Sequence, residues 1–416
     1  MPELLSLGAA LSAALSAAMS ESLTWPLALT LAWMAGELLY RWASVPRIAV
    51  YGLCGFVFGN LSAGYLAPDQ SATFLMLANL GFGLMLFELG YRINLRWLRT
   101  NPWIPLTALL ESALTWAAVY LVARACAVPP LSSCLLGALA MASSPAGLLR
   151  VVNEEGGAGQ VTERALHLTA INCVLAVFVF NVTIGLGVFQ TSGDVVHASW
   201  AGLVVLAASS GLGAAFGVLV PLWQRLVGHA RTDATLTFAI AVFLLVALTH
   251  VLKLSPVLAA LTFGLVARHR RITLSPAQRN FGALGDLLAV LLFFFVATTV
   301  EWRQVVDGLW LGSLLLLVRA LVKVALCTAT ARVSGISARK GALTGVAIMP
   351  MAVFTIVMVE QTRRLGVDLL DSLAPLAAIA ILAEVLAPVL CQRALAAANE
   401  SAQSQEKTKE KSHGVA

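Results

Sequence analysis

Apolar residues run along this chain in blocks of about twenty, separated by short polar stretches that hold most of the charge. A hydrocarbon layer about 30 Å thick takes about 20 residues of helix to cross. Thirteen blocks fit, at about 24–42, 47–66, 72–91, 103–127, 130–150, 164–190, 197–227, 233–251, 254–268, 280–300, 308–333, 340–361 and 370–395. The pattern predicts an all-α integral membrane protein of 13 transmembrane helices. The ninth is short and needs cover from its neighbours. Residues 1–23 are also apolar, rich in Ala, Leu and Ser, and lack the basic start of a secretory signal, so they form a possible fourteenth helix. The segment 396–416 is polar and of mixed charge, and reads as a disordered tail.

Orientation follows from the basic residues, which accumulate in cytoplasmic loops. Twenty of the 27 Lys and Arg lie in the loops after odd-numbered segments and in the tail, and two more, Arg319 and Lys323, lie inside the eleventh segment. This alternation places the C-terminus in the cytoplasm, with a bacterial inner membrane as the expected location.

Composition narrows the classes further. The chain is 59% hydrophobic and only 12% charged, with a mean hydropathy of +0.86, which no soluble fold can bury. A net charge of +6 could suggest nucleic acid, but the basic residues sit between apolar runs and not on one folded face. The six cysteines occupy apolar segments without the spacing of a metal knot or disulfide framework. There is no HExxH, no GxSxG and no pair of intramembrane aspartates, so neither an enzyme nor a bound cofactor is expected.

The two halves echo each other. LMLFELGYRINLRWL in the third segment and LFFFVATTVEWRQVV in the tenth each lead from an apolar helix into an Arg/Trp-bearing loop. Two segments later each half has a helix interrupted near its middle, by Ser143-Ser144-Pro145 and by Met349-Pro350-Met351. Equivalent segments run in opposite directions, so the pattern predicts inverted repeats with two discontinuous helices crossing at the midplane.

Charges inside a bilayer cost several kcal/mol, so those present are candidates for function. Lys323 leads because apolar chain surrounds it; Arg319, one turn away on the same face, reads as a structural charge. Glu88 stands four residues before Arg92 and suits a helix-surface pair or an ion site equally. Glu111 and Glu384 lie deeper, and Glu384 has no basic residue nearby in sequence. His167 and His250, near segment ends, read as hydrogen-bonded helix-end histidines.

The stretch from Ala140 to Val179, AMASSPAGLLRVVNEEGGAGQVTERALHLTAINCVLAVFV, resembles the core signature of the monovalent cation:proton antiporter superfamily, sodium/hydrogen exchanger type. Supporting pieces are RWASVPRIAVYGLCGFVFGNL, SPVLAALTFGLVAR, LFFFVATTVEW and ISARKGALTGVAIMPMAVFTIV, which extend the resemblance along residues 24–395. It implies a panel domain, a mobile core around 72–190 and 280–395, and a homodimer formed through the panel. By position it assigns Ser143, Ser144 and Pro145 to the first break, Asn172 and Cys173 to the paired polar position, Lys323 to the eleventh segment and Pro350 to the second break.

One departure bears on function. The family usually carries Asp-Asp or Asn-Asp at the paired position, where this chain has Asn172-Cys173, and the acidic position after the second break is Val353. A thiol is a poor ligand for a hard cation. Three readings stay open. The chain exchanges a monovalent cation, Na⁺ or K⁺, for protons with Glu88 or Glu384 replacing the lost aspartate; it moves an anion or organic solute; or it is a non-transporting sensor or assembly protein.

Overall fold

The computed structural model describes residues 24–61, 68–188, 195–227, 234–270, 274, 281–298, 300–351, 355 and 374–402. Every element among them is helical. The helices are α1 (24–43), α2 (Arg47–Leu61), α3 (Pro68–Arg92), α4 (Leu95–Thr100), α5 (Trp103–Ala125), α6 (Pro130–Met141), α7 (Pro145–Glu154) and α8 (Gln160–Val188). They are followed by α9 (Val195–Val227), α10 (Ala234–Val251), α11 (Pro256–His269), α12 (Gly282–Thr298), α13 (Trp302–Ala331), α14 (Ala338–Ala347) and α15 (Ala374–Ala397). Among the described residues, five stretches are long and apolar enough to cross a membrane: Trp103–Ala125, Pro130–Glu154, Gln160–Gly185, Gly202–Gln224 and Trp302–Ala331. The segment 1–23, the continuation of the twelfth segment to 361, Val353 and the tail beyond 402 fall outside the described residues.

Serines mark where several helices begin. Ser144, Ser255 and Ser337 each accept a hydrogen bond from the backbone N–H three residues on, and proline follows the first two at a position where its missing N–H costs nothing. Asn94 caps the short α4 in the same way, accepting from Arg96 and Trp97.

The helices pack in two groups. Helices α5, α6, α8, α13, α14 and α15 form one, with α13 lying against α5, α14 and α15; α3, α9, α10, α11 and α12 form the other, and α2 packs on α12. The seams between them run where α2 meets α15, α3 meets α7 and α8 meets α9. In the second group the short α11 lies between α3 and α9, which supplies the cover its length requires. Its crossing with α3 is built on two glycines: a Cβ on Gly90 would stand 2.0 Å from the Leu261 carbonyl oxygen, and one on Gly264 2.0 Å from that of Phe87. Small residues let backbones touch where lipid offers no hydrophobic drive.

Burial follows the same logic. Within an apolar 18-residue window, the interrupted stretch Pro130–Glu154 is 94% buried, whereas that of Gly202–Gln224 is only 17% buried. A broken helix frees backbone groups that hydrocarbon cannot satisfy, so it must lie inside protein, while an intact one can face lipid.

After α15 the chain turns back on α8. Glu400, 4% exposed, accepts hydrogen bonds from the backbone N–H of Val161 (2.9 Å) and Thr162 (2.8 Å) and from the Thr162 hydroxyl (2.9 Å). The segment expected to be unstructured from 396 therefore begins with a packed turn. Its carboxylate does for α8 what a local cap does for other helices, and carries the charge that a helix N-terminus favours. Gly159 makes room: its φ is +155° and a Cβ there would stand 2.2 Å from the Glu400 carboxyl carbon. Glu400→Ala is expected to cost about 0.5–2 kcal/mol, the range for a lost cap, and to lower the thermal midpoint of the detergent-purified protein. An unshifted midpoint would refute this role.

Candidate functional site

The break between α6 and α7 spans Ala142 to Ser144 and leaves the carbonyls at the end of α6 without helical partners. The second break begins where α14 stops at Ala347 and runs non-helically through Met349–Met351. The two meet directly. The Ser144 N–H donates to the Pro350 carbonyl (2.5 Å), and the Ser143 hydroxyl donates to the Ile348 carbonyl (2.8 Å). Pro145 and Pro350 each stand at the interruption that the sequence located, and a Cβ on Gly147 would come within 2.8 Å of Pro350.

Two cations from α13 close the crossing. Arg319, 2% exposed, spreads its guanidinium over both breaks: Nε donates to the Ala140 carbonyl (2.9 Å), Nη2 to those of Ala142 (2.8 Å) and Ile348 (3.4 Å), and Nη1 to that of Met349 (2.9 Å). It thus faces the ends of α6 and α14, where helix dipoles concentrate negative partial charge. One turn on, Lys323 donates to the Met141 carbonyl (3.2 Å). The run of carbonyls from 140 to 143 is then complete, because the Cys173 thiol donates to Ser143 (3.1 Å). A carboxylate at position 173 could not make that bond, since it has no proton to give.

The partner of Lys323 is Glu111 of α5, and both side chains are fully buried. Sequence reasoning noted Glu111 as deep but did not bring it into the site. Its second carboxylate oxygen accepts from the Asn172 amide (2.9 Å), whose oxygen accepts from the Ser112 hydroxyl (2.9 Å). The buried hydroxyls of Thr115, one turn from Glu111, and Thr169, one turn from Asn172, have no hydrogen-bond partner. The site is thus one buried ion pair set among hard oxygen donors, against the crossing of two helix breaks.

The other acids named from sequence lie elsewhere. Glu88, 3% exposed, accepts from Arg92 (2.8 Å) and from the Asn153 amide (3.0 Å), which joins α3 to α7. Glu384 sits on α15 against Gly52 of α2. His167 donates through Nδ1 to the Glu163 carbonyl (2.7 Å) and accepts through Nε2 from the Asn94 N–H (3.0 Å), the helix-end role its position suggested.

A cavity of about 760 Å³ opens between α1, α2, α12 and α7, lined by Glu37, Arg47, Tyr51, Arg150, Glu154 and Asp286 among others. Two ion pairs bridge it, Arg47 to Glu154 (2.6 Å) and Arg150 to Asp286 (2.5 Å). At about 1.5 Å per residue along α7, Arg150 lies roughly 8 Å from Pro145, so the cavity reaches within two turns of the first break.

A family model described as the transmembrane part of sodium/hydrogen exchangers matches residues 27–396. The chain belongs to the sodium/hydrogen exchanger family. Its fold within that family resembles the sodium proton antiporter MjNhaP1 from Methanocaldococcus jannaschii. Against the structure of that protein at pH 8 the TM-score is 0.62 at 16% identity, covering 92% of this chain and 97% of the other. Against a second MjNhaP1 structure, from electron microscopy, the TM-score is 0.63 at 17% identity, covering 89% and 95%. No curated protein matches the sequence. At Cys173, where the resemblance led us to expect a carboxylate, this chain has a thiol that donates to the Ser143 carbonyl in the first break.

Proposed function

We propose that this protein is a monovalent cation:proton antiporter in which Glu111 replaces the family's aspartate, and that Glu111 and Lys323 form the switching pair. The observation that carries the reading is the buried Glu111–Lys323 ion pair beside the crossing breaks. Separating two buried opposite charges is unfavourable unless another charge substitutes, because each would be left uncompensated. A cation that reaches the Glu111 carboxylate provides that substitution. Lys323 then gives up its proton and turns neutral, so one cation is taken up and one proton leaves with the charge of the site unchanged. When the cation departs, Lys323 takes a proton back and pairs with Glu111 again. Ser112 and Asn172 supply further oxygens of the kind that small hard cations prefer.

Around this step we place the rest of the reading. Thirteen spans in two inverted repeats alternate access to a midplane site carrying Na⁺ or K⁺, in a bacterial inner membrane, with a cytoplasmic C-terminus and a homodimer through the panel domain. Transport of an anion has less to support it than the sequence suggested. Lys323 is matched by Glu111, and Arg319 is occupied by four carbonyls. One observation favours a second reading: the Cys173 thiol fastens the first break from inside, as suits a scaffold that no longer transports.

Proteoliposomes with an internal pH dye separate these readings. Imposed Na⁺, K⁺ or Li⁺ gradients are expected to drive proton flux through the wild type, and Glu111→Gln is expected to reduce it at least tenfold, to background. Undiminished flux in that variant would show the carboxylate to be elsewhere. A wild type silent to all three cations would favour the non-transporting scaffold.

A further inference from the structure

The seam where α15 meets α2 contains a carboxylate that the switching pair does not use. Glu384 is 5% exposed, and its Oε1 has no hydrogen-bond partner. It is held in a notch that only glycine permits, since a Cβ on Gly52 would stand 2.4 Å from its Cγ. No described cation is free to neutralise it. On α2, Arg47 is engaged with Glu37 and Glu154; on α7, Arg150 bonds Asp286. On α13, Arg319 holds the breaks and Lys323 holds Glu111, while Arg303 and Arg332 are exposed. On α14, Arg339 donates to the Ala397 carbonyl and Lys340 to Gln160, and on α15 itself Arg393 is exposed. The acids on these elements are equally committed or distant: Glu154 pairs with Arg47, and Asp307 is exposed.

A charged carboxylate in such a place is costly. The seam also lies near a cavity: Tyr51, the residue before Gly52, lines the 760 Å³ space. From these placements we propose that Glu384 is a second proton-binding site. It is protonated while seated against Gly52 and releases its proton to the cavity when the two helix groups slide, so that a proton is carried in addition to the one exchanged at Lys323. This rests on the exchange reading for its role in transport, but the seated proton can be measured without it.

Two measurements on the full chain test it. Infrared spectra at neutral pH are expected to show a protonated-carboxyl band in wild type and in Glu111→Gln that disappears in Glu384→Gln. A band that is missing from wild type, or that survives in Glu384→Gln, overturns the proposal. In proteoliposomes the proton-to-cation ratio, read from the gradients at which flux vanishes, is expected to fall by one in Glu384→Gln. A ratio equal to the wild type's overturns the transport role even if the band is present, leaving a structural acid. Glutamine keeps the shape of the side chain, and Gly52→Ala, which crowds the seated carboxyl, provides a second variant expected to slow transport without removing the acid. Should wild type drive no proton flux with any cation, the exchange reading and the coupling role both fall, while the band alone still decides whether Glu384 holds a proton.

Discussion

Lys323→Met alone will destabilise the protein more than Lys323→Met combined with Glu111→Gln. Removing one member of a buried pair strands the other charge and typically costs about 3–5 kcal/mol, whereas replacing both by uncharged groups of similar shape is often neutral. Glu111 has the Asn172 amide as its other partner, which cannot neutralise it. Glutamine at position 111 still offers Asn172 an oxygen, so the double variant loses the charge and keeps that bond. Thermal midpoints of the purified proteins in a mild detergent are expected to fall well below wild type for the single variant and to recover in the double. If the two fall equally, the pair does not behave as a compensated unit and the switching role proposed for it loses its physical basis.

Arg319→Met will have the larger structural effect. The guanidinium satisfies carbonyls at 140 and 142 in one break and at 348 and 349 in the other. Each buried acceptor left without a donor costs about 1–3 kcal/mol. The sum is on the order of several kcal/mol, a large share of the 5–15 kcal/mol that holds an ordinary protein folded. The variant is expected to accumulate poorly and to elute as aggregate on size exclusion. Arg319→Lys should recover only part of the loss, because an ammonium lacks the planar fork that reaches both breaks. Wild-type yield and a wild-type midpoint for Arg319→Met would contradict the arrangement.

The sequence disclosed the helices and the breaks more readily than the site. Apolar blocks of membrane-crossing length are a one-dimensional signal, and prolines at 145 and 350 mark interruptions because proline cannot donate to a helical ladder. An arginine deep in an apolar segment needs acceptors, and for Arg319 the broken helices provide them. Glu111 was harder to place. No basic residue lies within a turn of it in sequence, and its partner is 212 residues away. A signal was present nonetheless: Thr107, Glu111, Ser112 and Thr115 are all buried and recur at helical spacing along α5, so a polar stripe faces inward on an otherwise apolar helix. Glu88 shows the opposite limit. Local spacing offered a bond to Arg92 beside an ion site, and did not reveal the Asn153 amide from α7 that gives the pair its place between helix groups. Cys173 could be recognised as an odd residue at a polar position, while its task of donating to a carbonyl thirty residues earlier depends on the fold.

Because a single side chain from α13 grips both interruptions at once, and serines of one interruption bond the backbone of the other, neither half can hinge by itself. If the proposed exchange turns the site from one side of the membrane to the other, the two crossed segments must travel as one piece of cargo. The give then has to come from the greased boundaries with the neighbouring helices.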